Sequence, residues 1–229
     1  MRITPASDSA LLVTFGDRIS FEAHLRVIAL FQAFEQLGDH RIRNLHPAYA
    51  SLLIDFHPLS FTQDELESLV LSLSSKFEGQ QDLIAELVEI PVCYEAEFAP
   101  DLANVAQHLG LSEEQVVTLH AGGEYRVYFL GFSPGFAYLG GVSQGLQVPR
   151  LETPRTHVRA GSVGLAGEQT GIYPNDSPGG WQLIGCTPQR MFDPSQDPPS
   201  WLRPGDRVHF RRISRVEFEQ LARDQEHGE

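Results

Sequence analysis

Apolar residues in the first third of the chain recur with the spacing of short strands and amphipathic helices. Residues 10–15, 42–45 and Ser51–Phe56 form apolar or alternating runs, which predict three strands. Between the first two runs, an apolar stripe at helical spacing begins after Ser20, a predicted N-cap, and ends at Gly38. The stripe consists of Val27, Leu30, Phe31 and Phe34.

The start of a second helix is the clearest local signal in the chain. Thr62 and Glu65 match a capping box, and Phe61 with Leu66 matches a hydrophobic staple across the first helical turn. The order strand, helix, strand, strand, helix (βαββα) predicts a two-layer α+β domain. We assign residues 1–84 to it, with the polar residues around 78–82 as a linker, and interpret it as a packing or docking module.

The remaining residues, 85–229, are predicted to form a second domain that is rich in strands. It opens with a strand over 87–92 and two short helices, the first of which begins near Asp101 and stops at Gly110. The second of these helices has a capping box at Ser112 and Gln115 and ends near His120. Beyond it, short strands alternate with Gly/Pro turns, which favours a closed barrel or a sandwich over a parallel sheet with crossover helices.

Glycine and proline are concentrated in this second domain. Residues 122–205 hold 15 of the 20 glycines and 10 of the 15 prolines. A glycine inside a regular element costs roughly 0.5–1 kcal/mol relative to alanine. We therefore expect most of these glycines where φ is positive or where the backbone closely approaches another group, as in a site built from main chain.

The composition excludes several classes of function. The net charge of −13 argues against nonspecific nucleic-acid binding and against docking on anionic membranes. Lys76 is the only lysine among 17 basic residues, and no P-loop motif is present, so a P-loop nucleotide site and a Schiff-base lysine are both disfavoured. Any contact with ATP would then use arginines and backbone N–H groups.

Metal-binding and secretory signals are equally weak. Cys93 and Cys186 are too few for a disulfide framework or a closed zinc site, and the nine histidines show no H-x-x-x-H pair, so we predict no metal ligands. The chain has no apolar run of 18 residues and no pattern of a signal peptide. We expect a cytoplasmic protein with reduced thiols.

Residues 131–135, Gly-Phe-Ser-Pro-Gly, match the G-x-S-x-G pattern of a nucleophile elbow. In such an elbow the residue after the serine donates a backbone N–H to the oxyanion hole, and a helix follows. Pro134 has no N–H to donate, and Gly140 with Gly141 disfavours a helix. Ser133 is therefore not predicted to be a hydrolytic nucleophile.

Candidate binding groups lie between and within the glycine-rich segments. Arg150, Arg155 and Arg159 could bind a carboxylate or phosphate through their guanidinium groups, or could form surface ion pairs on a solvated loop. In residues 161–171, alternation would let polar side chains face a groove, although a coiled barrel strand with glycine kinks explains the pattern equally well. These polar side chains are Ser162, Gln169 and Thr170.

His120 has two competing interpretations. At the C-terminus of a helix, a protonated imidazole is stabilised by the helix dipole by about 0.3–1 kcal/mol. General acid–base catalysis is the alternative. The neighbouring motif 177–181, Ser-Pro-Gly-Gly-Trp, is predicted to be a turn, with Trp181 in the core.

Taken together, several long motifs resemble the KipI/PxpB family, whose members are also described as the first subunit of allophanate hydrolase or the B subunit of 5-oxoprolinase. The resemblance extends from about residue 90 to 210. Its motifs are 129–140 (Phe-Leu-Gly-Phe-Ser-Pro-Gly-Phe-Ala-Tyr-Leu-Gly), 160–164 (Ala-Gly-Ser-Val-Gly), 169–174 (Gln-Thr-Gly-Ile-Tyr-Pro), 177–181 and 204–206 (Pro-Gly-Asp).

The resemblance implies a small N-terminal α+β domain followed by a cyclophilin-like β-barrel. It also implies a cytoplasmic subunit that works with a PxpC (KipA-like) and a PxpA (LamB/YcsF-like) partner to hydrolyse 5-oxo-L-proline to L-glutamate with cleavage of ATP. Related domains occur in urea carboxylase, and one branch of the family is named for inhibiting a sporulation histidine kinase.

Residues that match common positions of the family motifs are our site candidates. The catalytic candidates are His120, Arg150 and Arg155. The ligand-binding candidates, which include Ser162 from the glycine-rich segment, are Arg126, Gly135, Tyr138, Ser162, Gln169, Thr170 and Ser177. The chain departs from the family at Arg159, where proline is usual, and at Cys186, where arginine is frequent. The second departure removes a possible anion ligand.

The first hypothesis is therefore the B subunit of an ATP-dependent 5-oxoprolinase, inactive alone. Arginines would steady phosphate charge, and N–H groups of the glycine loop would bind a developing oxyanion. The alternatives are a protein-binding inhibitor of a sensor histidine kinase and a component of urea or allophanate processing. The inhibitor would present Phe132, Phe136 and Tyr138 to a helical target.

Overall fold

The computed structural model describes residues 1–18, 20–76 and 85–227. The chain divides into two compact units, Met1–Ile84 and Ala85–Glu229. The predicted linker over 78–82 lies outside the described residues. Among the described residues, no helix combines the length and apolarity that crossing a membrane requires.

The first unit is a four-stranded antiparallel sheet with two helices. Its elements are β1 (Arg2–Ser7), β2 (Ala10–Thr14), α1 (Phe21–Leu37), β3 (Ile42–Pro47), β4 (Ser51–Phe56) and α2 (Gln63–Lys76). The strands are arranged in the order β1-β2-β4-β3. Apolar residues of β2 and β4 pack with those of both helices in one core, which is the predicted two-layer arrangement.

Both helix starts agree with the sequence. Ser20 caps α1 by accepting a hydrogen bond from the N–H of Ala23 at 3.1 Å, and Gly38 ends that helix in the left-handed region, with φ of 59°. The Thr62–Glu65 capping box is present, with both reciprocal hydrogen bonds formed. These helix starts can be predicted from sequence because each depends on residues within one helical turn.

Strand β1 was not predicted. Its residues are mostly exposed and include Pro5, so they carry no apolar alternation. The strand exists because it pairs with β2, with Arg2 opposite Thr14 and Ile3 opposite Val13. As an edge strand it tolerates both the proline and the polar side chains.

The second unit is built around a closed barrel of seven strands, which confirms the predicted closure. The barrel order is β10-β7-β6-β13-β5-β12-β9, and a two-stranded ribbon of β8 and β11 lies outside it. The strands are β5 (Leu87–Cys93), β6 (Glu124–Leu130), β7 (Ala137–Gly140), β8 (Arg155–Val158), β9 (Ser162–Ala166), β10 (Gln169–Ile172), β11 (Ser177–Gly179), β12 (Gln182–Cys186) and β13 (Arg207–Ile213). Within the barrel only β5 and β13 pair in parallel.

Three helices accompany the barrel. They are α3 (Leu102–Leu109), α4 (Glu113–Ala121) and α5 (Arg215–His227). Apolar residues of α3 and α4 join the main barrel core. The sequence did not predict α5, whose Phe218 packs against Cys93 and Cys186 on the outside of β5 and β12. The remaining residues of this helix are mostly polar, and the helix is held by that tertiary contact.

Gly161 shows why the second unit needs its glycines. It has φ of +81°, its N–H donates to the carbonyl of Tyr173 at 2.7 Å, and its carbonyl accepts from Thr187 at 2.9 Å. A Cβ at this position would overlap the carbonyl oxygen of Thr187. The backbone of β9, β10 and β12 can therefore meet here only around a glycine.

We predict that Gly161→Ala lowers the free energy of unfolding of the second unit by at least about 2 kcal/mol, because positive φ and the overlap both penalise alanine. Both tryptophans, Trp181 and Trp201, lie in this unit, so tryptophan fluorescence during urea unfolding measures its stability. Gly145→Ala is the matched control, since a Cβ there meets nothing within 4 Å, and it should change stability by less than about 1 kcal/mol. Equal effects of the two substitutions would contradict this account.

Candidate functional site

An aromatic cluster lies apart from the main barrel core. It consists of Phe136, Tyr138, Tyr173 and Trp181, packed with Val158, Ala166 and Leu183. The ring centroid of Phe136 lies 5.2 Å from that of Tyr173 and 5.5 Å from that of Trp181, both nearly edge-to-face. Aromatic pairs prefer this arrangement because the ring edge is positive and the ring face negative. The cluster is therefore rigid, and it brings β7, β10 and the segment before β12 together.

Phe132 projects from the loop that leads into this cluster. Its φ is 70°, and it is the one described residue other than glycine with a positive φ. A bulky side chain in this region is a true outlier that costs of order 1–3 kcal/mol. The side chain is also 62% exposed, and its ring makes edge-type contacts with Phe136 and Tyr173, at 5.4 and 6.5 Å between centroids. The fold thus holds an apolar ring in solvent at the expense of backbone strain.

The loop 131–136 is closed by its own hydrogen bonds. The N–H groups of Gly131, Ser133 and Phe136 donate to carbonyls of the same loop at 2.9–3.0 Å. Gly135, with φ of 82°, packs against Phe192, where a Cβ would lie 2.5 Å from the Cβ of that residue. Most N–H groups of this loop are therefore already used, which weakens the expectation that they bind an oxyanion.

The G-x-S-x-G pattern does not form a nucleophile elbow. Strand β7 follows the loop, where an elbow requires a helix. The Oγ of Ser133 is buried and has no hydrogen-bond partner among the described residues. The sequence-based rejection of a serine nucleophile agrees with this geometry.

The three candidate arginines do not converge. Arg155 lies on β8, and its Nη2 donates to the Oδ1 of Asp101 at 2.5 Å. Arg150 lies beside the aromatic cluster, with its guanidinium carbon 5.9 Å from the ring centroid of Trp181. Arg159 points elsewhere, to the rings of Phe98 and Phe218 near α5.

Two tyrosines connect the arginines to the cluster. Burial raises the pKa of Tyr138 and of Tyr173, while the nearby positive charge of Arg150 acts to lower both pKa values. Arg155 has the same lowering influence on the pKa of Tyr173. The phenol of Tyr173 packs over Gly179, where any Cβ would overlap it. The phenols therefore stay protonated, within the electrostatic reach of two cations.

Ser177 lies on the ribbon beside this group. It is opposite Val158 in the register of β11 and β8, and Gly179 is opposite Arg155. The Oγ of Ser177 is buried without a hydrogen-bond partner among the described residues. An unpaired buried hydroxyl costs free energy, so it marks a place where a ligand or a partner chain could contribute a bond.

His120 lies inside the barrel and not at its surface. Its side chain is fully buried, and burial lowers its pKa to about 3, so the expected protonated imidazole at a helix terminus does not exist at neutral pH. The hydroxyl of Thr170 donates to the carbonyl of Gly164 at 2.9 Å, so it accepts from Nε2 of His120 at 3.0 Å. Nδ1 then accepts from the hydroxyl of Tyr94 at 2.8 Å. This polar chain satisfies every donor of a neutral ring.

The other candidates are distributed around the barrel. Arg126 lies at the far end of β6, with its Nη1 donating to the carbonyl of Gly205 at 2.9 Å, and burial lowers its pKa. Gln169 is half-buried on β10, opposite Gly140. Ser162 is buried at the start of β9, where its carbonyl accepts from the N–H of Tyr173. None of these placements brings the side chain to the aromatic cluster.

The structure thus gathers Tyr138, Arg150, Arg155 and Ser177 around the aromatic cluster and leaves the remaining candidates elsewhere. Of the three aromatics proposed for a protein target, Phe136 is only 2% exposed and cannot serve. Sequence reasoning missed Asp101, which it treated as the start of a helix, and Tyr173. The residue-level signal for Tyr173 was its place in the Gln-Thr-Gly-Ile-Tyr-Pro motif.

Three rings of the aromatic cluster are buried, since Phe136 and Tyr173 are each 2% exposed and Trp181 is 5% exposed. A cleft of about 500 Å³ lies elsewhere, between Glu86 and residues 189–206, and none of the candidate residues lines it. No group of three or more His, Cys, Asp or Glu residues that could hold a metal ion occurs in the part of the chain that the structure describes.

Comparison with known proteins gives consistent matches. Residues 1–202 match the family model of the carboxyltransferase domain, subdomain C and D. The B subunit of 5-oxoprolinase from Bacillus subtilis (strain 168) is 39% identical over 231 residues, covering 95% of both chains. The urea amidolyase of Saccharomyces cerevisiae (strain S288c) is 24% identical and covers 97% of this chain, which corresponds to only 14% of that enzyme.

A solved structure shows the same fold. The crystal structure of TTHA0988 superposes with a TM-score of 0.79 and 40% sequence identity over 90% of this chain. The chain spans only 40% of the length of that protein. The fold described here therefore also occurs joined to other sequence in one longer polypeptide.

We predict that His120 makes the stability of the second unit depend on pH. Its pKa is about 3 when folded and near 6.5 when unfolded, so between these values the unfolded chain binds one more proton. The free energy of unfolding should fall as pH is lowered below 6.5, by about 1.4 kcal/mol per pH unit. The neighbouring Tyr94 and Tyr125 do not titrate in this range, because burial raises the pKa of each.

His120→Gln should be less stable at pH 7 and should lose this slope, measured by urea unfolding between pH 7 and pH 5. Replacing the exposed His57 by glutamine is the control and should leave the slope unchanged. Parallel curves for wild type and His120→Gln over the whole range would show that the imidazole is not held neutral.

Proposed function

Because the chain belongs to the family of the carboxyltransferase domain, subdomain C and D, we propose that it is the B subunit of an ATP-dependent 5-oxoprolinase. In this function it works in the cytoplasm within a hydrolase complex that converts 5-oxo-L-proline to L-glutamate. The further subunits are of the PxpA and PxpC types. ATP is a co-substrate of the complex, and this chain is inactive alone.

The observation that carries the proposal is the match to a B subunit of 5-oxoprolinase along nearly the whole of both chains. An identity of 39% over 95% of each sequence includes both units, so it does not depend on one motif. That relative is named as one subunit of an enzyme, which supports a heteromeric assembly for this chain as well.

The chemistry explains why ATP and positive groups are needed. Opening a five-membered lactam is uphill near neutral pH, so the amide oxygen is activated by attack on the γ-phosphorus of ATP, which releases ADP. Water then adds to the ring carbon and the C–N bond breaks, the nitrogen leaving as the amine, and a second water releases phosphate. Negative charge accumulates at these steps, and we assign Arg150, the exposed cation beside the aromatic cluster, to stabilise it.

Exposed groups at the edge of the aromatic cluster support the need for partners. Phe132 and Arg150 are exposed in this chain, whereas enzymes exclude water from such reactions by enclosing the substrate. Phe132 stands at the edge of the cluster, exposed and strained. Strain that persists at one exposed residue commonly marks a functional contact. We therefore assign Phe132 to the contact with a partner subunit.

A role in urea or allophanate processing is the second candidate. The similarity to urea amidolyase favours it, although 24% identity is well below that of the 5-oxoprolinase relative. A neighbouring gene for a biotin carboxylase would support this alternative. For a KipI-like inhibitor of a histidine kinase, Phe132 and Tyr138 remain as the surface aromatics, and a neighbouring kinase gene would favour it.

We predict that the isolated chain has no ATPase activity stimulated by 5-oxoproline, and that the co-purified assembly with its PxpA- and PxpC-type partners has it. The reason is that Phe132 and Arg150 at the candidate site are exposed in this chain. The measurement is release of phosphate and glutamate with and without 5-oxoproline. Absence of activity in the complete assembly, with urea or allophanate accepted instead, would refute the proposal in favour of the second candidate.

We also predict that Phe132→Asn weakens assembly with the partner subunits at least about tenfold, since an exposed aromatic anchor contributes more than 1 kcal/mol to such an interface. Stability of the chain should stay equal or rise, because asparagine tolerates a positive φ better than phenylalanine. Calorimetric titration gives the affinity, and thermal unfolding gives the stability.

Val216→Ser is the control for lost apolar surface, since Val216 is 73% exposed on α5. It should leave the affinity unchanged. An unchanged affinity of Phe132→Asn would exclude Phe132 from the partner contact.

A further inference from the structure

Asp101 is a buried carboxylate that does not cap its own helix. It occupies the N-cap position of α3 but makes no side-chain hydrogen bond to that helix. Aspartate at this position normally accepts from the N–H of the second or third residue of the helix. Here both oxygens are turned away from the helix, and the side chain is only 5% exposed. The Asp101 side chain therefore does not stabilise the N-terminus of α3 and makes other contacts instead.

The carboxylate of Asp101 joins two parts of the candidate site. Oδ2 accepts from the N–H of Leu183 at 2.6 Å, and Oδ1 accepts from Nη2 of Arg155 at 2.5 Å. The N–H of Asp101 itself donates to the carbonyl of Leu183 at 2.9 Å. Main chain and side chain together therefore fix Asp101 on β12, and Asp101 fixes the end of Arg155.

The contact between Arg155 and Asp101 uses only a small part of the guanidinium. A guanidinium has five N–H groups in a planar fork, and a fork-to-fork pair with a carboxylate would use two of its nitrogens. Here one nitrogen is engaged, because the second oxygen of Asp101 belongs to Leu183. Nη1 is buried with no acceptor among the described residues, while the Arg155 side chain as a whole remains 30% exposed. The cation is held in place and still has donors to offer.

The surroundings of Arg155 suit a small anion with an apolar body. Opposite it on the ribbon, Gly179 has no side chain, and the phenol of Tyr173 packs there. Arg150 adds a second positive charge, and no ion pair of Arg150 exists among the described residues. The two guanidinium groups, beside buried aromatic rings, form a small positively charged patch on a chain whose net charge is −13.

We infer that Arg155 binds the carboxylate of 5-oxoproline, and that Asp101 is the positioning residue that aims its guanidinium. This inference rests on the proposed function and specifies the substrate-binding group within it. The carboxylate of the substrate binds at the exposed part of the Arg155 side chain, whose guanidinium has donors that Asp101 does not use. The ring of the substrate lies against Tyr138, the partly exposed residue of the aromatic cluster. Arginine matches a carboxylate through parallel hydrogen bonds, which a lysine cannot reproduce.

The test uses the purified assembly with its partner subunits and the variants Arg155→Ala, Arg155→Lys and Asp101→Asn. Each should raise the KM for 5-oxoproline about tenfold or more, since each removes or misaligns a charge-assisted hydrogen bond. The KM for ATP should stay within about twofold, and kcat should change less than KM. Asparagine retains an acceptor for Leu183, so Asp101→Asn should fold normally.

A double variant separates positioning from a general structural effect. If Asp101 acts through Arg155, then Asp101→Asn should add nothing to the KM of Arg155→Ala. Independent effects that multiply would overturn the positioning role. The matched control is Glu114→Gln, which breaks the 2.6 Å surface ion pair of Glu114 with Arg212 and should leave the KM unchanged.

Pyrrolidin-2-one, which has the ring of the substrate without its carboxylate, identifies the group that Arg155 binds. Its inhibition constant should be the same for wild type and Arg155→Ala, whereas the KM for 5-oxoproline rises.

A rise in the KM for ATP alone would overturn the assignment in favour of phosphate. An assembly without 5-oxoprolinase activity would refute the proposed function. Calorimetric titration of the assembly with 5-oxoproline would then test the inference separately. Either of two results would overturn the inference: no binding of 5-oxoproline to the wild type, or equal binding to the wild type and to Arg155→Ala.

Discussion

The hydrogen-bond chain from Tyr94 through His120 and Thr170 to Gly164 is the interaction on which the second unit depends. It crosses the interior of a closed barrel and connects α4 to β9 and β10. Polar groups in such an interior are tolerated only when each is satisfied, and here a neutral imidazole accepts at one nitrogen and donates at the other. The ring of His120 also stacks on Phe210 at 4.6 Å, so the helix is fixed within the barrel core.

A filled interior determines where chemistry can take place. Apolar residues from all seven barrel strands and from α3 and α4 occupy the space that a ligand would need. The candidate binding groups with exposed surface lie outside the barrel, where the ribbon of β8 and β11 and the loop 131–136 flank the aromatic cluster. Here the backbone is fixed by glycines and by its own hydrogen bonds, and the side chains with exposed surface are Phe132, Tyr138, Arg150 and Arg155.

This arrangement explains how an acidic chain can present a local group of positive charges. Several arginines of the second unit form ion pairs on the surface, such as Arg212 with Glu114 and Arg215 with Glu97. Such exposed pairs contribute little to stability and cancel charge locally. Arg150 and Arg155 differ, because one has no ion-pair partner among the described residues and the other shares a buried carboxylate with a backbone N–H. The candidate site is therefore distinguished by which arginines form surface ion pairs, and not by the number of arginines.

Much of this protein could be predicted from sequence because many signals are local. The capping boxes at Thr62 and Ser112, the helix ends at Gly38 and Gly110 and the closed barrel each follow from residues close together in sequence or from the repeated pattern of strands and turns. Strand β1 and helix α5 escaped prediction, since each is held by a tertiary contact and neither has a strong pattern of its own. The family motifs likewise contain most of the residues that surround the candidate site.

Only the tertiary structure decided which polar side chains belong to that site. His120, Thr170 and Arg155 were all candidate site residues in the sequence. In the structure, His120 and Thr170 face the barrel interior, whereas Arg155 lies beside the aromatic cluster. Alternation along a strand fixes which residues share a face, but not whether that face is the inside of a closed barrel. The role of Asp101 depends on a residue 54 positions away, and no local pattern connects the two. Contacts that join distant segments are set by the packing of the whole unit, which is why the sequence determined the elements and the fold determined the chemistry.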